Sequence, residues 1–364
     1  VHDILGIDAI HMPFEQVVDE IAQALEDEAS SVIGTPEDHS AKHWKIPFIG
    51  NNPPPLPTLP GEMDGIALAL NHLGFAARRI TLTDRRHIRV IIPPLRGISG
   101  GDFEMGSSGV SAVESAITLP LSLIPVSPFY IGTYPVTVAE YECAVITKAV
   151  DQPAACTYPN EDWVAPEWRG KTLTWDMQLQ RPAHPVVCVS WDDANKYAWW
   201  IARATRQFWR LPTEAEWEKA ARWDTSTTPP YARLYPWGDD WHDEYANTRR
   251  INGDISQIGT YPGNTSPYSV RDMAGNIWEW TSSIYHASRY DASTCEDIFD
   301  KIQDRVLRGG SWLDEAAFAR AIYRAKSAIH SRNINTGFRL VWGETSWLMM
   351  TPTGPMPVVS RSPR

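Results

Sequence analysis

Cysteine is scarce in this chain of 364 residues: four residues, at 143, 156, 188 and 295, with no C-x-x-C pair. That excludes a disulfide framework and a cysteine-based zinc site, and it fits a reducing, cytoplasmic compartment. No stretch approaches the roughly 20 apolar residues that a membrane helix needs, so no membrane span is expected. The opening VHDILGIDAI lacks the basic start and apolar core of a signal peptide, although a chain that begins at Val leaves a preceding segment open. Positive charge is also short. Thirty-three Lys and Arg stand against 44 Asp and Glu, a formal charge of -11, and no basic patch of useful length offers phosphates a landing site. Nucleic acid is therefore not an expected partner. No fixed-period repeat is present.

The chain is rich in tryptophan and proline. Seventeen Trp, 13 Tyr and 29 Pro describe aromatic packing and many irregular connections, hence an α+β, loop-rich fold. A length above about 200 residues predicts two domains, or one with an appendage. Phe14, Val17, Val18, Ile21, Ala22 and Leu25 recur at the spacing of one helical face. The stretch NNPPPLPTLPGEM (51 to 63) then breaks regular structure, DGIALALNHLGF suggests a short helix, and RRITLT-DRR-HIRVIIPP suggests two strands around a turn. Residues 1–95 thus form a small α+β appendage of unknown role, 96–345 the main domain, and 346–364 an extended tail.

Three helix starts follow from capping chemistry. Thr137 with Glu140, Ser190 with Asp193, and Thr213 with Glu216 each place a hydroxyl at the cap and an acid three residues on, with Asp193 the shorter and weaker reach. After Ser190, Trp191, Ala194, Ala198 and Ile201 share one face. The Trp residues at 191, 217, 237, 278, 280 and 312 read as core. Glu214, Glu216 and Glu218 read as solvated acids compensating a helix dipole, and Asp239 and Asp240 as turn residues.

Taken in order, GDFEMGS (101 to 107), PFYIGTYPVTVAEY (128 to 141), HPVVCVSWDDANKYAWW (184 to 200), RLPTEAEWEKAAR (210 to 222), YPWGDDW (235 to 241), DMAGNIWEW (272 to 280), RVLRGGSW (305 to 312) and NTGFRLV (335 to 341) form a series. It resembles the sulfatase-modifying factor family, the formylglycine-generating-enzyme type of C-type lectin-like fold. The resemblance implies a small twisted sheet, two main helices and long loops. It also implies a pair of catalytic cysteines after the Gly-Gly-Ser-aromatic motif, where thiolates would bind copper or exchange with a substrate thiol. Asp314 and Ala319 stand there instead, and Cys143, Cys156, Cys188 and Cys295 read as structural thiols. A second branch of the fold holds iron through three histidines; His39 and His43, four apart, have no third partner in register. The expectation is therefore a non-enzymatic chain without copper or iron.

A third branch, the variable proteins of diversity-generating retroelements, shows a framework like RGGSW, then arginine-punctuated mixed residues, then GFRLV. Arg308, Arg320, Arg324, Arg332 and Arg339 match it here, and they read as internal ion pairs or hydrogen-bond hubs. Leu313, Asp314, Glu315, Phe318, Tyr323, Ala325, Lys326, Ser327, His330, Ser331 and Ile334 would form the diversified surface. A solvent-facing patch of this mixture suits a protein or other macromolecular ligand. Asn276 and Glu279 match a family calcium site, with a turn and an arginine pair as their alternative roles. The leading expectation is a variable, ligand-binding protein most like the retroelement group. Its rivals are a divergent metal-dependent oxidase or sulfatase-modifying-type enzyme, which a concave pocket with pKa-perturbed residues would support, and an adaptor for residues 1–95.

Overall fold

The computed structural model describes Leu70 and residues 73–81, 87–107, 118–205, 207–249, 251–287, 290–297 and 300–343. The expected helix over 13 to 28, most of the one over 64 to 75, His39, His43, the proline stretch and the tail lie outside the described residues. Chain contacts divide Val1–Asn52 with Thr81–His87 from Pro53–Ile80 with Ile88–Arg364.

β1 (Ala76–Thr81) and β2 (His87–Ile92) form the expected strand pair, and the turn expected between them lies outside the described residues. There follow β3 (Leu95–Ile98), β4 (Gly101–Met105), β5 (Ser122–Val126), β6 (Phe129–Gly132) and helix α1 (Val138–Ile146). Next come β7 (Cys156–Thr157), β8 (Thr172–Leu173), α2 (Trp175–Leu179), α3 (Trp191–Thr205), β9 (Trp209–Arg210) and α4 (Glu214–Arg222). The chain closes with β10 (Trp223–Asp224), β11 (Tyr231–Ala232), β12 (Trp278–Ile284), α5 (Ala292–Cys295), β13 (Arg305–Arg308), β14 (Ala325–Ser327), β15 (Thr336–Phe338) and β16 (Val341–Trp342). The fold is α+β with long loops. Two four-stranded sheets, β3-β6-β16-β9 and β14-β13-β12-β15, replace the one small sheet expected. Among the described residues α1 matches α4 in length, so two main helices is an undercount.

The capping chemistry holds at all three starts. Thr137 and Glu140, and likewise Thr213 and Glu216, satisfy each other's amides reciprocally. Asp193 also reaches back, accepting from the Ser190 amide at 2.9 Å, and its carboxylate takes the Arg332 guanidinium at 2.8 and 3.0 Å. A carboxylate shared between cap and arginine compensates for its shorter stem.

α4 overturns the solvated reading of its acids, because all nine of its residues are buried. Ala215, Trp217, Ala220 and Ala221 join Phe103, Phe129, Ile131, Met273 and Val341 in one core cluster. Burying carboxylates without partners would be prohibitive, so each takes an arginine. Glu216 holds Arg210 in a two-pronged pair at 2.7 Å, Glu214 holds Arg324, and Glu218 bridges Arg222 and Arg308. A second cluster gathers Tyr158, Val164, Leu173, Val187, Cys188, Ile277 and Ile334 around Trp312. Of the six tryptophans read as core, Trp191, Trp217, Trp278, Trp280 and Trp312 are buried, whereas Trp237 is half-buried in a stack with Tyr235.

Candidate active site

Where β12, β13, β14 and the segment before β15 meet, the chain leaves a cleft of about 300 Å³. Its lining comes from Trp278 at the head of β12, Leu307 of β13, Asp314 and Phe318 after the Gly-Gly-Ser-Trp turn, Tyr323, the β14 residues Ala325, Lys326 and Ser327, and Asn333, Asn335 and Thr336. The turn is tight enough to demand glycine. At Gly310, with φ +72°, a side chain would meet the Phe318 carbonyl oxygen at 2.7 Å.

Three rings form the aromatic wall. Tyr323 lies 5.9 Å from Trp278 and 4.7 Å from Phe318, centroid to centroid. Arg308 fixes the tyrosine's backbone by donating to the carbonyls of Ala321 and Tyr323 at 3.0 and 2.8 Å, while its other prong is held by Glu218 beneath. Arg324 likewise ties the segment to Glu214 and to the His286 carbonyl. Arg308 and Arg324 are thus the internal hubs expected of them, and they hold the wall from behind.

Asp314 is the one carboxyl in the lining. Its carboxylate accepts from the Ser311 hydroxyl and from the Trp278 indole, and Asn335 donates to the same hydroxyl at 2.9 Å. Burial raises its pKa above the usual carboxylate range; the Ser311 and Trp278 bonds and the charge of Arg249 work against that rise. Burial also raises the Tyr323 phenol, with the Asp314 charge contributing. Lys326 carries the only other formal charge in the lining, and its ammonium turns to Asp304 at 2.9 Å.

Of the residues expected on a diversified surface, Asp314, Phe318, Tyr323, Ala325, Lys326 and Ser327 therefore share one cleft. The others do not. Leu313 packs on the Trp312 cluster and Ile334 is buried in it; Glu315 faces outward to Arg249 at 3.5 Å; exposed His330 pairs with Asp192 at 3.1 Å; Ser331 is half-buried and outside the lining. The six that do share it line a shallow cleft open to solvent, in a segment that Arg308 and Arg324 tie to α4. Sequence reasoning missed Trp278, Leu307, Asn333, Asn335 and Thr336. Trp278 reads as core from its neighbours, whereas Asn333, Ile334 and Asn335 alternate exposed, buried and half-buried, a period-two signal that points the two amides away from the core.

Asn276 and Glu279 have protein partners. The Asn276 carbonyl oxygen accepts from the Ser256 amide at 2.9 Å and from Asn247 at 3.2 Å. Glu279 accepts both prongs of Arg339, at 2.6 and 2.7 Å, and the Trp217 indole at 2.7 Å. These are the turn and arginine roles weighed beside calcium. A thiolate-bound copper does not fit positions 314 and 319, where a carboxylate and a methyl stand. Two other thiols do meet: Cys156, half-buried rather than buried, hydrogen-bonds with Cys188 and donates to the Arg332 carbonyl at 3.7 Å.

Residues 92–344 match the model of the sulfatase-modifying factor enzyme 1-like domain. The chain belongs to that family. It is 31% identical over 68% of its length to the inactive C-alpha-formylglycine-generating enzyme 2 of Bos taurus, covering 87% of that protein. It is 32% identical over 64% of its length to the hercynine oxygenase of Mycobacterium tuberculosis, of which it spans 58%. The solved structure of PvdO from Pseudomonas aeruginosa aligns with TM-score 0.56 and 25% identity over 70% of this chain and 95% of that one.

These findings correct three expectations. The chain is not most like the retroelement variable proteins: Treponema denticola variable protein 1 aligns with TM-score 0.52 but 17% identity, which shows a shared fold alone. The reading as a diversified binding protein falls with it, since the strong matches are to the sulfatase-modifying family. Loss of the thiols at 314 and 319 does not make the chain a non-enzyme, because its relatives include an oxygenase. Finally, no helix among the described residues is long and apolar enough to cross a membrane.

Proposed function

We propose that this chain is an enzyme of the sulfatase-modifying type, whose substrate enters the cleft walled by Trp278, Phe318 and Tyr323 and exchanges a proton with Asp314. One observation carries the reading: beside the ring of Tyr323 the open cleft holds one carboxyl in its lining, half-buried and with a raised pKa, the arrangement by which proteins poise a group for acid–base work. Family membership alone leaves the matter open, since one relative is named inactive and another an oxygenase. The reaction class is a two-electron oxidation: the substrate gives up two electrons and two protons, Asp314 relays one of the protons, and dioxygen takes both electrons and both protons and leaves as hydrogen peroxide. No step is assigned to a thiolate at position 314 or 319. The test offers the full chain thiol peptides and small nitrogen compounds in air, following dioxygen uptake and substrate mass. A substrate that loses two hydrogens as hydrogen peroxide forms, and no longer does so with Asp314→Asn, is the expected result. Equal turnover by the wild type and Asp314→Asn overturns the role of Asp314, and no conversion of any compound overturns the enzyme reading.

A further inference from the structure

The lining of the cleft also specifies what it holds. Flat aromatic surfaces attract cations electrostatically, and Tyr323 here lies tilted between Trp278 and Phe318. The charge that they would share with an incoming group is that of Asp314. Lys326 does not oppose it, because its ammonium is committed to Asp304 at 2.9 Å and lies near the Tyr285 ring. Arg249 sends its charge to Asp314 but spends its contacts elsewhere: its backbone amide donates to the Asp314 carbonyl at 2.8 Å, and its guanidinium faces Glu315 at 3.5 Å and the Trp163 ring at 5.0 Å. A cation entering the cleft thus meets a carboxylate, a phenol and π-faces, with the amide side chains of Asn333 and Asn335 in the same lining.

We infer that the substrate group bound in this cleft is a planar nitrogen cation, a guanidinium or amidinium, stacked on the rings with its N–H groups directed to Asp314. Planarity follows from the rings, and N–H donors follow from the carboxylate, which accepts a fork of two parallel bonds better than it engages a quaternary ammonium. A volume of about 300 Å³ suits a group of arginine side-chain size. The inference rests on the cleft being the substrate site, as proposed above, yet it is read by binding rather than by turnover.

Calorimetric titration of the full chain with methylguanidinium and benzamidinium tests it, with methylurea as the neutral isostere and tetramethylammonium as the cation without N–H. Both amidine-type cations are expected to bind at least tenfold more tightly than either control. Asp314→Asn should lose at least tenfold, and Phe318→Leu, whose ring carries no hydrogen bond, several-fold with its melting temperature retained. Methylurea or tetramethylammonium binding as well as methylguanidinium overturns the inference, as does an unaffected Asp314→Asn that melts like the wild type. So does a folded wild type that binds neither cation. Cation binding without dioxygen uptake on any compound would leave this inference standing and sink the oxidation; the reverse outcome would sink this inference alone.

Discussion

Glu140 shows how one buried acid sets a pH dependence. Its Oε2 accepts from the Thr137 amide and hydroxyl, both at 2.7 Å, while Oε1 is buried without a hydrogen-bond partner among the described residues. Burial lifts its pKa from 4.5 to about 8. The folded state thus binds a proton that the unfolded chain has already released. The stabilising contribution is complete below pH 4.5 and is lost as pH rises through 8, on the order of 3–5 kcal/mol in all. Glu296, lifted to about 7 by burial, adds to the same slope. Glu140→Gln preserves a competent capping residue and removes the titration. Chemical denaturation is expected to show the variant equal to the wild type near pH 5 and more stable by pH 8–9; parallel stability curves would contradict this. Among the thiols, Cys156 should be the first to react with iodoacetamide. It is half-buried where Cys143, Cys188 and Cys295 are buried, and the Cys188 hydrogen bond lowers its pKa. Peptide mass mapping checks the order, and Cys188→Ala should slow labelling at Cys156 by removing that bond.

At the scale of elements, capping and periodicity were readable because they are local. Thr137, Ser190 and Thr213 each announce a helix within four residues, and the apolar face of α3 needs only its own spacing. The burial of α4 was not readable, because a glutamate-rich first turn looks the same whether water or a distant arginine answers it. Here the answering groups stand far along the chain: Arg308 is 90 positions from Glu218, and Arg324 is 110 from Glu214. That network is also where the elements are most vulnerable. Arg308 is fully buried, and Arg308→Met would leave Glu218 with Arg222 as its one arginine beside the Gly106 amide, and the carbonyls of Ala321 and Tyr323 without their donor. A loss of about 3–5 kcal/mol is expected in urea unfolding, the usual cost of breaking a buried pair from one side. Combining it with Glu218→Gln should recover part of the loss, because the second change removes the charge left underpaired; strictly additive losses would argue against a coupled network.

Across the whole molecule, the candidate site was half legible. The stretch after the Gly-Gly-Ser-Trp turn declared itself by its mixed composition, and six of its residues do line the cleft. The direction in which they face could not be read, since it depends on Trp278 closing one side and on arginines that reach α4. The joint that brings these parts together is the Gly275-Asn276 turn. Its backbone accepts the Trp312 amide at 3.1 Å and gives the Asn276 amide to the Asn247 carbonyl at 2.7 Å, and the Asn276 side chain spans Ser256 and Asn247. Gly275, at φ +72°, has no room for a methyl group, which would stand 2.4 Å from the Asn247 oxygen. Three stretches distant in sequence therefore converge on two residues that are not themselves in the cleft lining. Asn276→Ala strands the buried Ser256 amide and should cost about 2–4 kcal/mol, since an unpaired buried donor carries its full desolvation penalty and two further bonds go with it. If the joint acts through these protein contacts, the drop in melting temperature will be the same in calcium and in EDTA. If the ion organises the joint, the wild type will lose stability in EDTA and Asn276→Ala will not lose more. The first outcome is expected, because the Asn276 oxygen already has two donors and Glu279 already holds Arg339.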